Sequence, residues 1–170
     1  YDLASVTKMF AGNYAVQLLV DQDRLPLDTK LVDIFGDSFA EDTILLNYEN
    51  KRIHEEYPLE QIKEWKRKIT VRDVLAHTAG FPAGYPYFND SYFLQKDMIN
   101  ASAGTNVLFA GNDGTEETRQ NTLKQIFRSP LVYEPGTKLR YSDIDYILLS
   151  YIVEKISGQR FDEFLKDNFW

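Results

Sequence analysis

The chain has 170 residues, of which 44% are hydrophobic and 26% are charged, and this composition is typical of one globular domain with a sizeable core. Because 19 Lys and Arg residues face 26 Asp and Glu residues, the net charge is −7, which argues against nucleic acid as a partner. The absence of cysteine excludes disulfides, a thiolate nucleophile and a Cys-based zinc site. His54 and His77 have no Asp, Glu or His at a spacing typical of metal ligands, so we expect neither a metal nor a cofactor.

The predicted elements are almost all helices. Apolar residues keep helical spacing from Val6 to about Asp23, and Leu31 to Phe35 predicts a short helical turn closed by Gly36. The next helix follows Pro58 and ends in Lys66-Arg67-Lys68, basic residues that suit the helix dipole and are expected to be solvated. Strand signals are nearly absent. Further helices are predicted after a capping box at Thr70 to Asp73, over Glu116 to Arg128, from Ser142 to Gly158 and from Phe161 to Phe169.

Two segments, at about 37–68 and 83–115, are predicted to be loop-rich insertions in this helical framework. The chain from Asp37 to Pro58 is polar and irregular. Aromatic residues crowd the start of the second segment, and they either form a flap over a cleft that selects substrate or a satellite apolar cluster that anchors a long loop. These residues are Phe81, Tyr85, Tyr87, Phe88, Tyr92 and Phe93.

Ser5 and Lys8 lie one helical turn apart at the start of the first predicted helix. This spacing brings an amine within hydrogen-bond reach of a hydroxyl, and a serine needs such a base to act as a nucleophile at neutral pH. Backbone N–H groups at the helix N-terminus would also face a developing oxyanion. Taken alone, the pair has a simpler explanation, in which Ser5 caps the helix and Lys8 is solvated.

Tyr141-Ser142-Asp143 precedes the most apolar helix and is the second candidate. A phenol beside a cation can relay a proton, and a carboxylate two residues further on can hold a lysine in position. The simpler explanation is again a cap, with Ser142 as the N-cap and with Asp143 and Asp145 as acidic residues of the first turn. Both explanations can hold together, since a helix N-terminus is a common place to fix functional side chains.

As a set, these residues resemble the β-lactamase-related serine hydrolases, which include class C β-lactamases, low-molecular-weight penicillin-binding proteins and related esterases and peptidases. The resemblance spans nearly the whole chain in family order, interrupted at 37–68 and 83–128. It implies the α/β fold of β-lactamases and DD-peptidases, of which this chain would hold the mainly α helical subdomain, with the sheet strands largely missing. The matching blocks are Leu3-Ala-Ser-Val-Thr-Lys8, Leu25-Pro-Leu-Asp28, Ile69 to Pro82, Glu134 to Asp143 and Leu148 to Gly158.

The resemblance also implies roles for the site residues. Ser5 would be the nucleophile that becomes acylated, Lys8 would help to deprotonate it, and Tyr141 would carry the proton to the leaving group. Asp143 stands where many members have Asn, and a carboxylate there would keep Lys8 protonated, which shifts the base role toward Tyr141 and favours an esterase or peptidase over an efficient β-lactamase. The acyl substrate would be an ester, a D-amino-acid peptide or a β-lactam. A penicillin- or peptidoglycan-binding sensor without turnover is the alternative.

The family's third motif, Lys or His followed by Thr or Ser and then Gly, is not found in the chain. His77-Thr78-Ala79-Gly80 is similar in pattern but falls where the family ends a helix, so His77 is expected to be structural. The sequence at both ends of the chain indicates a truncation of a longer protein. We therefore expect the isolated 170 residues to be inactive and their uncovered apolar faces to drive oligomer formation. The resemblance further implies a cell-envelope or extracellular location.

Overall fold

The computed structural model describes residues 3–43, 47–48, 51–52, 57–84 and 115–170. Within these ranges the chain is mainly helical, as predicted, and none of the described helices combines the length and apolar character needed to cross a membrane. A π-helical segment, Lys8–Asn13, leads into the first α-helix. The α-helices are α1 (Tyr14–Asp21), α2 (Leu31–Phe35), α3 (Ser38–Glu41), α4 (Leu59–Lys66), α5 (Val71–Leu75), α6 (Glu116–Arg128), α7 (Asp143–Ser157) and α8 (Phe161–Phe169).

Helix α7 lies at the centre of the core. The side chain of Ser142 caps its N-terminus by accepting a hydrogen bond from the N–H of Ile144 at 3.2 Å, and Gly158 ends it in the left-handed conformation, with φ at 77°, as the sequence predicts. The helix packs against the π-helical segment and against α1, α2, α5, α6 and α8. Its fully buried apolar side chains are Ile144, Leu148, Leu149, Ile152 and Val153.

Helix α5 is held in place before it meets α7. The predicted capping box is present: the Thr70 hydroxyl accepts from the N–H of Asp73, and the Asp73 carboxylate accepts from the N–H of Thr70 at 2.9 Å. The backbone entering α5 also pairs with the backbone entering α2, since the N–H of Leu31 donates to the carbonyl of Ile69 at 2.9 Å. Helix α5 therefore carries the turn that follows it, which begins at Ala76, to a fixed place beside α7.

Lys66 departs from the sequence-based expectation of a solvated helix end. It is fully buried, and its ammonium donates to Thr43 Oγ1 at 3.0 Å and to the carbonyls of Phe127 at 2.5 Å and Ser129 at 3.1 Å. Those carbonyls lie at the C-terminal end of α6, where backbone acceptors have no helical donor. Burial lowers the pKa of Lys66 well below its ordinary value. The prediction is wrong for Lys66, whereas Lys68 is exposed.

The segment from Asp37 to Pro58 contains more regular structure than its polar sequence indicates. Helix α3 begins directly after Asp37 and buries Phe39 and Ala40 completely. Farther on, strands β1 (Asn47–Tyr48) and β2 (Lys51–Arg52) pair antiparallel, a strand pair that the sequence signals did not predict. Apolar burial at the two positions of α3 is what turns this part of the segment into a helix packed on α4 and α6.

Candidate active site

Ser5 lies on an exposed turn that is followed by the helical residues Val6 and Thr7 and then by the π-helical segment. Ala4 takes a left-handed φ of 45°, which is uncommon for a residue other than glycine, and Ser5 itself is exposed. The N–H of Lys8 donates to the carbonyl of Ser5 at 3.1 Å, so the chain turns through about one helical turn between the two side chains. The predicted helix from Val6 is therefore present, but its first part has the wider π winding, which is frequent at functional sites.

The π-helical segment approaches α7 closely at one point. A β-carbon on Gly12 would lie 2.8 Å from the ring of Tyr146, so only glycine fits there. The Tyr146 hydroxyl donates to Asn13 Oδ1 at 2.7 Å. These contacts fix the segment that carries Lys8 against the helix that begins with Asp143.

Lys8 joins the two candidate motifs of the sequence. Its ammonium donates to Ser5 Oγ at 3.1 Å and to Asp143 Oδ1 at 2.7 Å. Asp143 is the first residue of α7 and is positioned by the Ser142 cap, while the Lys8 side chain is only 15% exposed. The same ammonium lies 4.9 Å from the centroid of the Tyr141 ring, a cation–π distance. The structure therefore brings together Ser5, Lys8, Tyr141 and Asp143.

A cavity of about 740 Å³ opens beside this cluster. Its polar groups come from the cluster and from the neighbouring rings, and the rest of its wall is apolar. Tyr141 is 48% exposed, so its phenol is accessible from solvent. The cavity is lined by Ser5, Val6, Lys8, Met9, Phe10, Tyr14, His77, Tyr141 and Tyr146.

Electrostatics differentiates the two candidate bases. Partial burial disfavours the charge on Lys8, but hydrogen bonds to Asp143 and Tyr141 outweigh that effect, so the pKa of Lys8 lies above its ordinary value. Hydrogen bonds to Lys8 and then to Ser5 lower the pKa of Tyr141. An ammonium that donates to Ser5 Oγ cannot also take the proton of that hydroxyl, whereas a phenolate can. The geometry thus suits Lys8 as a cation and Tyr141 as a proton acceptor.

The segment that contains Tyr141 is held by the segment that follows α5. The carbonyls of Thr78 and Gly80 accept from the N–H groups of Gly136 and Val132, both at 2.8 Å. The Asp143 N–H donates to the carbonyl of Ala83 at 2.7 Å. The His77-Thr78-Ala79-Gly80 segment therefore lies alongside the segment that contains Tyr141 and is joined to it by backbone hydrogen bonds.

His77 and Asp145 form a buried pair that the sequence spacing did not reveal. The imidazole Nδ1 lies 2.7 Å from Asp145 Oδ2, and the Asp145 side chain is 2% exposed. Burial raises the pKa of Asp145 to about 6. The sequence placed Asp145 only as a first-turn acid of α7, and the i+2 spacing from Asp143 was the one local signal that the two acids face different surroundings.

Other sequence-based predictions fall outside this cluster. Phe81 is 1% exposed and belongs to the core, while the remaining residues of the aromatic group lie outside the described part of the chain, as does His54. Among the described residues, no group of three or more His, Asp and Glu side chains is arranged to hold a metal ion.

Comparisons with known proteins bear on the whole chain. A family model described as "Beta-lactamase" matches residues 1–170. Proteins named "Putative D-alanyl-D-alanine carboxypeptidase" from Escherichia coli O157:H7 and Escherichia coli strain K12 are each 35% identical over 173 residues, covering 100% of this chain and 31% of their own length. A Salmonella typhimurium protein of the same name is 32% identical over 170 residues, with the same coverage. The chain thus spans 31% of the length of these curated relatives.

Proposed function

Since the chain belongs to the β-lactamase family, we propose that it is part of a serine hydrolase that acts through an acyl intermediate on Ser5. The observation that carries this proposal is the position of the Lys8 ammonium, which bridges Ser5 Oγ at 3.1 Å and Asp143 Oδ1 at 2.7 Å beneath the Tyr141 ring. A lysine that was merely solvated would not contact a serine hydroxyl, a carboxylate and a phenol at the same time.

The proposed acylation uses Tyr141 as the base. Ser5 Oγ forms a bond to the carbonyl carbon of the substrate, and the Ser5 proton passes to the Tyr141 phenolate. The tetrahedral intermediate then collapses, the bond from the carbonyl carbon to the leaving group breaks, and Tyr141 gives the proton to the leaving nitrogen or oxygen. The Lys8 cation stabilises the phenolate throughout, which is consistent with the lowered pKa of Tyr141.

Deacylation completes the proposed cycle. Water attacks the acyl carbon and gives one proton to the Tyr141 phenolate. The bond between Ser5 Oγ and the acyl carbon then breaks, Tyr141 returns that proton to Ser5 Oγ, and the acid is released. Because Asp143 favours the ammonium form of Lys8, Lys8 takes no proton in either half of this cycle. Its role is electrostatic, and that of Asp143 is to hold it in place.

For the substrate, we propose a peptide that ends in D-alanyl-D-alanine, with the terminal D-alanine as leaving group. The names of the E. coli and S. typhimurium relatives support this class. An ester or a β-lactam has the same reacting carbonyl, so the site chemistry extends to both.

The isolated 170-residue chain is proposed to be inactive. The Lys/His-Thr/Ser-Gly motif of the family does not occur at a position of this chain that matches it. That motif resides on a strand that supplies one oxyanion donor in the family, and losing one such donor costs on the order of 10²–10³ in rate. The proposed activity therefore belongs to the full-length protein.

Release of D-alanine from a D-alanyl-D-alanine peptide by the full-length protein tests this function. We expect the wild type and Ser38→Ala, a change at an exposed serine away from the site, to release D-alanine at equal rates. Ser5→Ala should abolish release. A wild type that is acylated by penicillin but releases no D-alanine over hours would identify the sensor alternative instead, and equal rates for the wild type and Ser5→Ala would refute the proposal.

A further inference from the structure

We propose that His77, anchored by the buried Asp145, is a positioning residue that holds the Tyr141 phenol against Ser5 and Lys8. The proposal rests on the proposed function of Ser5 and Tyr141. It assigns a role in the reaction to a residue whose sequence pattern indicated only a structural one.

His77 contacts three consecutive residues of the Tyr141 segment. Its carbonyl accepts from the N–H of Arg140 at 2.9 Å, and its ring lies against the Tyr141 ring with centroids 4.7 Å apart and an interplanar angle of 44°. Its Nδ1 lies 3.2 Å from the backbone nitrogen of Ser142. His77 thus holds the backbone directly before Tyr141 through its carbonyl and supports one face of the phenol with its ring.

The imidazole is itself fixed on its other sides. Nδ1 lies 2.7 Å from Asp145 Oδ2, and Tyr146 covers the ring with centroids 5.1 Å apart. Nδ1 carries either a proton or a lone pair, so it cannot both donate to Asp145 and accept from Ser142, and the shorter contact to Asp145 is the stronger one. A ring held by a buried carboxyl group at one edge and between two aromatic rings has little freedom to turn.

The backbone of His77 is also unusual. Its φ is 57°, in the left-handed region that residues other than glycine seldom occupy. Such a conformation persists only when the surrounding structure enforces it, and it occurs preferentially at functional sites. Here the left-handed turn directly after α5 is what turns the imidazole toward α7 and Tyr141.

Tyr141 needs such a support because it lies in the loop before α7 and is 48% exposed. Proton transfer requires the phenol oxygen within hydrogen-bond reach of Ser5 Oγ, and a misplacement of about 1 Å costs roughly 10²-fold in rate. If His77 were removed, the phenol would drift from Lys8 and Ser5 and lose the hydrogen bonds that lower its pKa. The charged and titratable groups around this position are Lys8 from the π-helical segment, Asp143, Asp145 and Tyr146 from α7, Asp73 from α5, and Tyr133 and Arg140 from the preceding loop.

The test measures acylation of the full-length protein by a fluorescent penicillin and by an activated ester, with the rate constant recorded across pH. His77→Asn is the informative variant, since asparagine tolerates the left-handed backbone but lacks the ring. We expect its acylation rate constant to fall at least tenfold. The limb of the pH profile that rises with deprotonation of Tyr141 should move to higher pH, while the apparent affinity for the probe changes little.

Two further variants separate positioning from stability. Asp145→Leu keeps the branched shape of the side chain but removes the carboxyl group that anchors the ring, so it should shift the limb in the same direction. This variant replaces His77→Asn if His77→Asn does not fold. Thr70→Ala removes the cap of α5 without touching Tyr141, so it should lower the unfolding temperature and leave the limb in place.

The outcomes are distinguishable. Wild-type protein that neither probe acylates refutes the proposed function and this inference with it. If the wild type is acylated, a folded His77→Asn or Asp145→Leu variant with a rate within twofold of the wild type, or with a slower rate and an unmoved limb, overturns the positioning role alone.

Discussion

Lys8 and Asp143 are 135 positions apart in the chain, yet the ammonium of one lies 2.7 Å from a carboxylate oxygen of the other. The contact joins the turn that carries Ser5 to the first residue of α7. It also keeps Lys8 cationic, since hydrogen bonding to Asp143 and Tyr141 outweighs the effect of partial burial on the pKa of Lys8. The roles proposed for the site residues, with Lys8 as the cation and Tyr141 as the base, follow from this pair.

Asp143→Asn should lower the pKa of Lys8, because an amide does not stabilise the ammonium as a carboxylate does. The titration of Lys8 can be followed by NMR of the dimethylated lysine in the full-length protein, assigned with Lys8→Arg. Asp28→Asn, which breaks an exposed ion pair with Arg72, is the matched control and should leave the Lys8 titration unchanged. A Lys8 midpoint unaffected by Asp143→Asn would contradict the role given to this carboxylate.

Tyr141→Phe should slow acylation by on the order of 10²–10⁴, the usual contribution of a general base, while the fold is retained because the ring still packs on His77. The rate constant for acylation by an activated ester measures this directly. Tyr14→Phe removes a hydroxyl from another tyrosine of the same cavity and should have little effect. Acylation by Tyr141→Phe at the rate of Tyr14→Phe would show that the base lies elsewhere.

Lys66→Met should lower the free energy of unfolding by roughly 3 kcal/mol, since it removes the ammonium that donates to two buried carbonyls and a buried hydroxyl, a loss only partly offset by removing the desolvated charge. Urea denaturation of the full-length protein gives the value. The same substitution at the exposed Lys68 should change stability by no more than about 0.5 kcal/mol. Equal stability of the two variants would argue against the buried position of Lys66.

Asp145 should make stability depend on pH in a defined direction. Burial raises the pKa of Asp145 from 3.8 to about 6, so the folded protein binds its proton more tightly than the unfolded chain does. The contribution of Asp145 to the free energy of unfolding is therefore fully present below pH 3.8 and is lost as the pH rises through 6. The shift corresponds to about 3 kcal/mol.

Relative to Asp145→Asn, which cannot titrate, the wild type should thus lose about this amount of stability between pH 3.5 and 7. Denaturation curves at several pH values measure the difference between the two proteins. Ser38→Ala, at an exposed serine that does not titrate, should show no such pH-dependent difference from the wild type. A difference between wild type and Asp145→Asn that stays constant with pH would contradict the raised pKa.

The local structure could be predicted well from the sequence because its signals are local. The capping box at Thr70, the Ser142 cap and the Gly158 terminus depend on residues within a few positions of each other, and each is present. The π winding at Lys8–Asn13 was not predicted, and the close approach of Gly12 in this segment to the ring of Tyr146 involves a residue far along the chain that no local pattern includes.

The features that the sequence did not reveal share one physical cause, which is contact with residues far along the chain. Lys66 reads as solvated in a Lys-Arg-Lys run, but carbonyls at the end of α6, about sixty positions later, determine its burial. His77 and Asp145 are 68 positions apart, and each has an ordinary local explanation. The candidate residues Ser5, Lys8, Tyr141 and Asp143 could be proposed from the sequence because a family resemblance supplied the long-range information that spacing alone does not hold.

Peptide mass mapping of the full-length protein after reaction with penicillin shows directly whether Ser5 becomes acylated. We expect a mass increase equal to one penicillin, confined to the proteolytic peptide that carries Ser5, absent in Ser5→Ala and present in Ser38→Ala. An adduct on any other residue, or an adduct that persists in Ser5→Ala, would contradict this expectation.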